Sequence, residues 1–141
     1  MRMAATDAAP PARARPLSPH LSVYRLTLTM AMSIVHRITG AALYVGALLL
    51  AWFLIATSLD AATFSVASGF LNSILGRLIL LGFTWALFHH MLGGVRHIIW
   101  DAGRGLDDPE REWLAWATLV GALVLTIVVW VIGLAILRPG S

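Results

Sequence analysis

The 141-residue sequence is 59% hydrophobic and only 12% charged, which is too apolar for a typical water-soluble domain. It contains no cysteine, so disulfides, thiolate-bound iron–sulfur clusters and covalently attached haem are excluded, and histidine is the expected metal ligand. The formal net charge is +3, and all ten basic residues are arginines. Most of them flank apolar runs, which indicates a role in membrane topology and not in nucleic-acid binding.

Two N-terminal segments differ in composition from the rest of the chain. Residues 1–14 are rich in Ala and Pro and are predicted to form a disordered tail that lacks the apolar core of a signal peptide. The next stretch, RPLSPH at 15–20, contains two prolines that favour a stiff, extended segment. Residues 15–141 are predicted to form a single membrane unit.

Three apolar runs, at 38–58, 78–99 and 113–137, are each near or above the roughly 20 residues that a helix needs to cross a bilayer. They predict an all-α membrane protein with three transmembrane helices, preceded by an extended cytoplasmic segment. The stretch AGRGLDDPERE at 102–112 is predicted to be a polar loop whose acidic residues suit the start of the third helix.

The arginines are distributed unequally between the two sides of the predicted bundle. One side carries eight, at positions 2, 13, 15, 25, 37, 96, 104 and 111, and the other carries Arg77 and Arg138. Because cations are enriched in cytoplasmic segments, the N-terminus is predicted to be cytoplasmic and the C-terminus periplasmic. The bacterial inner membrane is the expected location of the protein, and the mitochondrial inner membrane is the less favoured alternative.

The second apolar run contains three histidines. His90 and His97 are seven residues apart and share a helix face, whereas His89 points about 100° away. Neither of the other two runs has a deep histidine, so if His90 binds haem iron, the second axial ligand must come from another chain. Gly93 and Gly94, one turn from His90, would let a flat macrocycle or another helix approach. The alternative is a helix-packing seam with a hydrogen-bonded interior histidine.

A second polar cluster, SIVHRITG at 33–40, stands at the cytoplasmic entrance of the first span. His36 and Arg37 are three and four residues after Ser33, so a hydroxyl, an imidazole and a guanidinium can converge. The second span returns to the same side, which places Arg96 and His97 at the level of this cluster. The alternative for Arg37 is a side chain that snorkels to the membrane interface.

Three motifs in consistent order and spacing resemble one known family. RPLSPHLSVYR at 15–25, SIVHRITG at 33–40 and HHMLGGVRHIIWD at 89–101 closely resemble the cytochrome b membrane-anchor subunit of succinate dehydrogenase, respiratory complex II. The resemblance covers about residues 15–105 and a matching third span. One departure is His89, at a position that is often Tyr in the family.

The resemblance implies a haem, a quinone and three partner subunits. His90 would be an axial ligand of haem b, the other ligand coming from a second membrane-anchor subunit, and Ser33 and Arg37 would line a ubiquinone site beside the iron–sulfur subunit. The candidates for haem propionate contacts are His36, His97 and Arg96. Electrons would arrive from succinate through the flavoprotein and iron–sulfur subunits, and this chain would contribute no catalytic residue of its own to succinate oxidation.

Several alternatives stay open. The chain could be a haem-free structural anchor, or a proton- or ion-translocating subunit in which His90 and His97 form a relay. Relays commonly include buried carboxylates, and none lies within the predicted spans. His89 is interpreted as a packing or hydrogen-bonding residue, and RPLSPH as a docking segment for the soluble subunits. The quinone type and the physiological direction of electron transfer are left open.

Overall fold

The computed structural model describes residues 25–137, which form four α-helices and no strand within that range. The helices are α1 (Leu28–Ser58), α2 (Ala61–Asn72), α3 (Ile74–Asp101) and α4 (Asp108–Leu137). Helices α1, α3 and α4 are long and apolar enough to cross a membrane, so the predicted all-α fold with three spans is confirmed. The predictions for residues 1–14 and for the RPLSPH segment lie outside the described residues.

Helix α1 begins well before the predicted span at 38–58. Its N-cap is Thr27, whose side chain accepts a hydrogen bond from the Met30 backbone N–H at 3.4 Å. Ser33 and Arg37 therefore lie inside the same continuous helix as the predicted span, so helical spacing applies across both.

The short helix α2 was not predicted from the sequence. Asp60 caps it by accepting hydrogen bonds from the Thr63 backbone N–H at 2.9 Å and from the Thr63 hydroxyl at 2.8 Å. The backbone bond from Thr63 lowers the pKa of the Asp60 carboxyl. Ala67 is fully buried, and Phe70 meets Trp52 of α1 edge-on at 5.9 Å. Helix α2 thus packs against the end of α1 that is remote from the histidines.

Helix α3 packs antiparallel to both α1 and α4, and α1 also contacts α4. A Cβ added to Gly46 of α1 would overlap the Phe83 ring of α3, and one added to Gly121 of α4 would lie 2.9 Å from Leu92. Farther along the same interface between α3 and α4, Trp130 Nε1 donates to Thr84 Oγ1 at 3.3 Å. The buried apolar side chains are mostly small, which allows close helix approach, whereas many large apolar side chains face outward, as expected in lipid.

A tight turn joins α3 to α4. Gly103 and Gly105 adopt φ values of +71° and +70°, a region that favours glycine, and Trp100 Nε1 donates to the Gly105 carbonyl at 2.9 Å. Helix α4 begins inside the predicted polar loop, with Asp108 and Glu110 in its first turn, where acidic side chains stabilise the positive end of the helix dipole.

Candidate functional site

Three histidines from two helices meet at one end of the bundle. The imidazole of His36, on α1, stacks on that of His90, on α3, with ring centroids 4.1 Å apart and planes inclined by 2°. The ring of His97 lies 5.3 Å from that of His36 and 5.2 Å from that of Trp100. The structure therefore brings the SIVHRITG motif together with two of the three histidines of α3, His90 and His97.

Glycines make this approach possible. A Cβ added to Gly93 would overlap the His36 ring, and one added to Gly40 would lie 3.0 Å from Cε1 of His90. Gly94 has open space where a side chain would project, with no neighbouring atom within 4 Å. Because Gly94 is one turn from His90, the surface of α3 at Gly94 is open near that imidazole among residues 25–137, while the ring of His36 covers another side of it.

The orientation of His90 is set by a backbone carbonyl. His90 Nδ1 lies 3.1 Å from the His36 carbonyl oxygen, and because a carbonyl can only accept, Nδ1 must donate. In the neutral ring, the lone pair is then on Nε2. Metal-binding histidines commonly use this arrangement, in which one ring nitrogen is held by a carbonyl and the other binds the metal.

His89 occupies a different environment from His90. It is 0% exposed, its ring is 5.1 Å from that of Trp85, and neither ring nitrogen has a hydrogen-bond partner among residues 25–137. This placement agrees with a packing role. Enclosure inside its own chain also keeps both nitrogens from a group shared with another subunit.

Ser33 and Arg37 are both exposed on α1. They are four residues apart and so occupy one helix face, while His36 turns inward to α3. The structure thus joins His36 to His90 and His97, and we call these three residues the histidine cluster. The Ser33 hydroxyl and the Arg37 guanidinium lie on an accessible surface at the same end of the bundle.

Arg96 lies on another side of α3. It is six residues after His90, about 120° around the helix, and only 3% exposed. Its guanidinium carbon is 5.0 Å from the centroid of Trp100, and the side chain lines a groove between α3 and α4. Nε and Nη1 have no hydrogen-bond partner within the described part of the chain.

Comparison with known proteins identifies the family. The model of the succinate dehydrogenase/fumarate reductase transmembrane subunit matches residues 11–129. The chain belongs to the succinate dehydrogenase cytochrome b membrane-anchor family. The succinate dehydrogenase cytochrome b556 subunit of Paracoccus denitrificans is 42% identical over 118 residues, which cover 84% of this chain and 91% of the relative.

Other relatives come from bacteria and mitochondria. The succinate dehydrogenase cytochrome b556 subunit of Rickettsia felis is 36% identical over 117 residues, covering 83% of this chain and 91% of the relative. The mitochondrial succinate dehydrogenase cytochrome b560 subunit of Sus scrofa is 39% identical over 117 residues, covering 82% of this chain and 66% of the relative. The resemblance inferred from the three sequence motifs is therefore confirmed.

Sequence reasoning missed two features that shape the site. One is the His36 carbonyl as the hydrogen-bond partner of His90, which depends on the register between α1 and α3 and has no local sequence signal. The other is helix α2, for which Asp60 followed by Thr63, and the aromatic pair Phe64 and Phe70, are the available signals.

Proposed function

We propose that the chain holds haem b in a succinate:quinone oxidoreductase and contributes to the quinone site of that complex. The observation that carries this proposal is the hydrogen bond from His90 Nδ1 to the His36 carbonyl, which directs the Nε2 lone pair to a ligand. The open surface at Gly94 beside it supports the approach of a flat macrocycle. When bound, haem b would supply reversible one-electron storage between the iron–sulfur subunit and the quinone.

The second axial ligand is proposed to come from the second membrane-anchor subunit. Axial ligands approach iron from opposite faces of the macrocycle, but His36 lies beside His90 with its ring parallel at 4.1 Å. His97 is on the same helix face as His90, and the nitrogens of His89 are enclosed. No histidine of the described chain therefore faces His90 across a haem-sized gap.

The propionates of the haem are proposed to lie near His36 and His97. Nδ1 of His36 is buried without a hydrogen-bond partner among residues 25–137, and His97 is exposed beside it. A propionate oxygen would accept a hydrogen bond from either imidazole. Arg96, the third candidate from the sequence, is about 120° around α3 from His90, so its placement favours this role less.

The quinone is proposed to bind beside the exposed face of α1 that carries Ser33 and Arg37. Reduction places electron density on the quinone carbonyl oxygens before protons arrive. A hydroxyl donor and a permanent cation stabilise that charge in the way that an oxyanion site does. Because both side chains are exposed, they are available to a pocket completed by the partner subunits.

A second candidate function is a proton relay. The feature that favours it is the contact of His36 with both His90 and His97, which forms a chain of three imidazoles. Against it, residues 38–58, 78–99 and 113–137 contain no Asp or Glu to continue the path. The haem proposal accounts better for the fixed orientation of His90, because a relay histidine must exchange protons at both ring nitrogens.

The arginine distribution is the basis for proposing which side of the membrane the site faces. The eight-arginine side, which includes Arg37 and Arg96, would face the bacterial cytoplasm, and the end of α4 would face the periplasm. The iron–sulfur and flavoprotein subunits would then bind at the cytoplasmic end, next to Ser33.

Spectroscopy of the assembled complex and of the isolated subunit tests the shared haem. We expect the purified complex to show a low-spin b-type band, and this chain purified alone not to show the normal bis-histidine spectrum. A complex without haem would support the structural-anchor alternative. A normal bis-histidine spectrum from the isolated chain would contradict a ligand from a partner.

Kinetics of Ser33→Ala test the quinone site. The variant should slow electron transfer from succinate to quinone while leaving dye reduction, which takes electrons upstream, nearly unchanged. Loss of one oxyanion donor costs about 2.7 to 4 kcal/mol in an enclosed site, so the slowdown at this exposed position should stay below about 100-fold. Parental rates and apparent quinone affinity in an assembled complex would remove Ser33 from the site.

A further inference from the structure

A groove on the surface between α3 and α4 contains a buried cation. It has a volume of about 190 Å³ and lies at the same end of the bundle as the histidine cluster. Leu92 and Val95 of α3 and Leu114 and Ala117 of α4 contribute apolar walls, and Arg96 lines the groove with them. The α3–α4 groove therefore combines apolar walls with one guanidinium group.

The charge of Arg96 is not balanced by the described part of the chain. Its side chain is 3% exposed, and Nε and Nη1 are buried without a hydrogen-bond partner. The ion pair found within residues 25–137 joins Arg111 to Asp108 and does not include Arg96. A buried cation without a counter-ion is costly, so an anionic group from outside these residues is expected at this position.

The level of the groove in the membrane indicates which anion is available. Arg96 is close to the end of α3, just before the polar turn that contains Arg104. On the neighbouring first turns of α4, Trp113 and Trp116 are 76% and 52% exposed, as is typical of aromatic side chains at a membrane interface. Phospholipid phosphates lie at this level, with their acyl chains extending into the apolar region.

We propose that the α3–α4 groove binds one phospholipid, whose phosphate pairs with Arg96 and whose acyl chain lies along Leu92 and Ala117. Arginine presents several N–H donors in a planar fork that matches phosphate oxygens. Arg96 is about 120° around α3 from His90, so this site is separate from the proposed haem face and does not depend on it.

Native mass spectrometry of the purified, delipidated complex tests the proposal with phosphatidylglycerol as the probe. We expect the parental complex to bind one added phosphatidylglycerol tightly, and to bind diacylglycerol with the same acyl chains at least tenfold more weakly because diacylglycerol lacks the phosphate. Millimolar inorganic phosphate should not displace the lipid. Displacement by inorganic phosphate would identify a free-phosphate site and overturn the lipid assignment.

Two pairs of variants locate the site. Arg96→Gln should lose the bound lipid, whereas Arg104→Gln, at an exposed arginine of the nearby turn, should retain it. Ala117→Phe fills the groove from an exposed position and should also lose the lipid without altering the visible spectrum, whereas Leu123→Phe, on α4 outside the groove, should retain it.

The outcome can be decided even if Arg96→Gln does not assemble, because Ala117→Phe leaves the cation in place. Equal lipid retention by Ala117→Phe and Leu123→Phe would overturn the proposal. A changed haem spectrum in Arg96→Gln with unchanged lipid binding would instead assign the guanidinium to a haem propionate.

Discussion

The contact between Gly93 and His36 gives a prediction whose size can be worked out from the structure. A methyl group at position 93 would overlap the His36 ring, and that ring cannot retreat freely because its position is shared with the stack on His90 at 4.1 Å. Overpacking a well-packed interior costs about 1 to 3 kcal/mol. Since the overlap is with a ring held on its other side, we expect the upper part of this range, about 2 to 3 kcal/mol.

Replacing a helical glycine by alanine also has a favourable effect, of about 0.8 to 1.0 kcal/mol in water, which must be separated from the overlap. Gly133→Ala is the matched control, because Gly133 lies inside α4 and no atom is within 4 Å of the added Cβ. The difference in stability between the two variants therefore isolates the overlap at His36. At roughly 2 to 4 °C per kcal/mol, this difference corresponds to about 4 to 12 °C in the unfolding midpoint.

The assay is thermal unfolding of the purified complex at one fixed heating rate, followed by tryptophan fluorescence and by loss of the haem band. Gly93→Ala should unfold below Gly133→Ala by the stated interval, and its haem band should be lost earlier. Equal midpoints for the two alanine variants would refute the close packing of the His36 ring on Gly93.

Two further predictions concern the cap of α2 and the topology. The hydrogen bond from Thr63 lowers the folded-state pKa of Asp60, so the cap stabilises α2 above the unfolded pKa of about 3.9 and is lost as pH falls through the lower folded value. After correction for intrinsic rates, amide exchange in α2 should therefore accelerate below about pH 4 in the parent and not in Asp60→Asn; identical profiles would contradict a titrating cap. A reporter that is active only outside the cytoplasm should be active when fused after Ser141, and activity within 104–111 instead would reverse the topology.

The sequence predicted the spans because transmembrane length and apolar composition are local properties. The helix that contains the first predicted span begins at Leu28, ten residues before residue 38. The polar residues of TLTMAMS lower the hydropathy of this stretch, so apolar composition does not reveal that its backbone is helical. Helix α2 was missed because its 12 residues, AATFSVASGFLN, are too few to cross a membrane. Its stability depends on the Asp60 cap and on packing against α1.

The site was predictable only in part. Helical spacing placed His90 and His97 on one face and His89 on another, and the structure has His90 and His97 directed to His36 and His89 enclosed. The stack of His36 on His90 could not be predicted, because it depends on which turn of α1 faces which turn of α3. The position of the Arg96 side chain in the α3–α4 groove could not be predicted either, because it depends on where α4 packs.

The reduced-minus-oxidised visible spectrum of purified complexes carrying His90→Ala or His89→Tyr decides whether His90 is the haem ligand. A backbone carbonyl holds Nδ1 of His90, which leaves the lone pair on Nε2, whereas both nitrogens of His89 are enclosed in the bundle. We expect His90→Ala to abolish or alter the low-spin b-type band and His89→Tyr, which introduces the residue common in the family, to retain it. A retained band in His90→Ala, together with its loss in an assembled His89→Tyr complex, would contradict the assignment of His90 as the haem ligand.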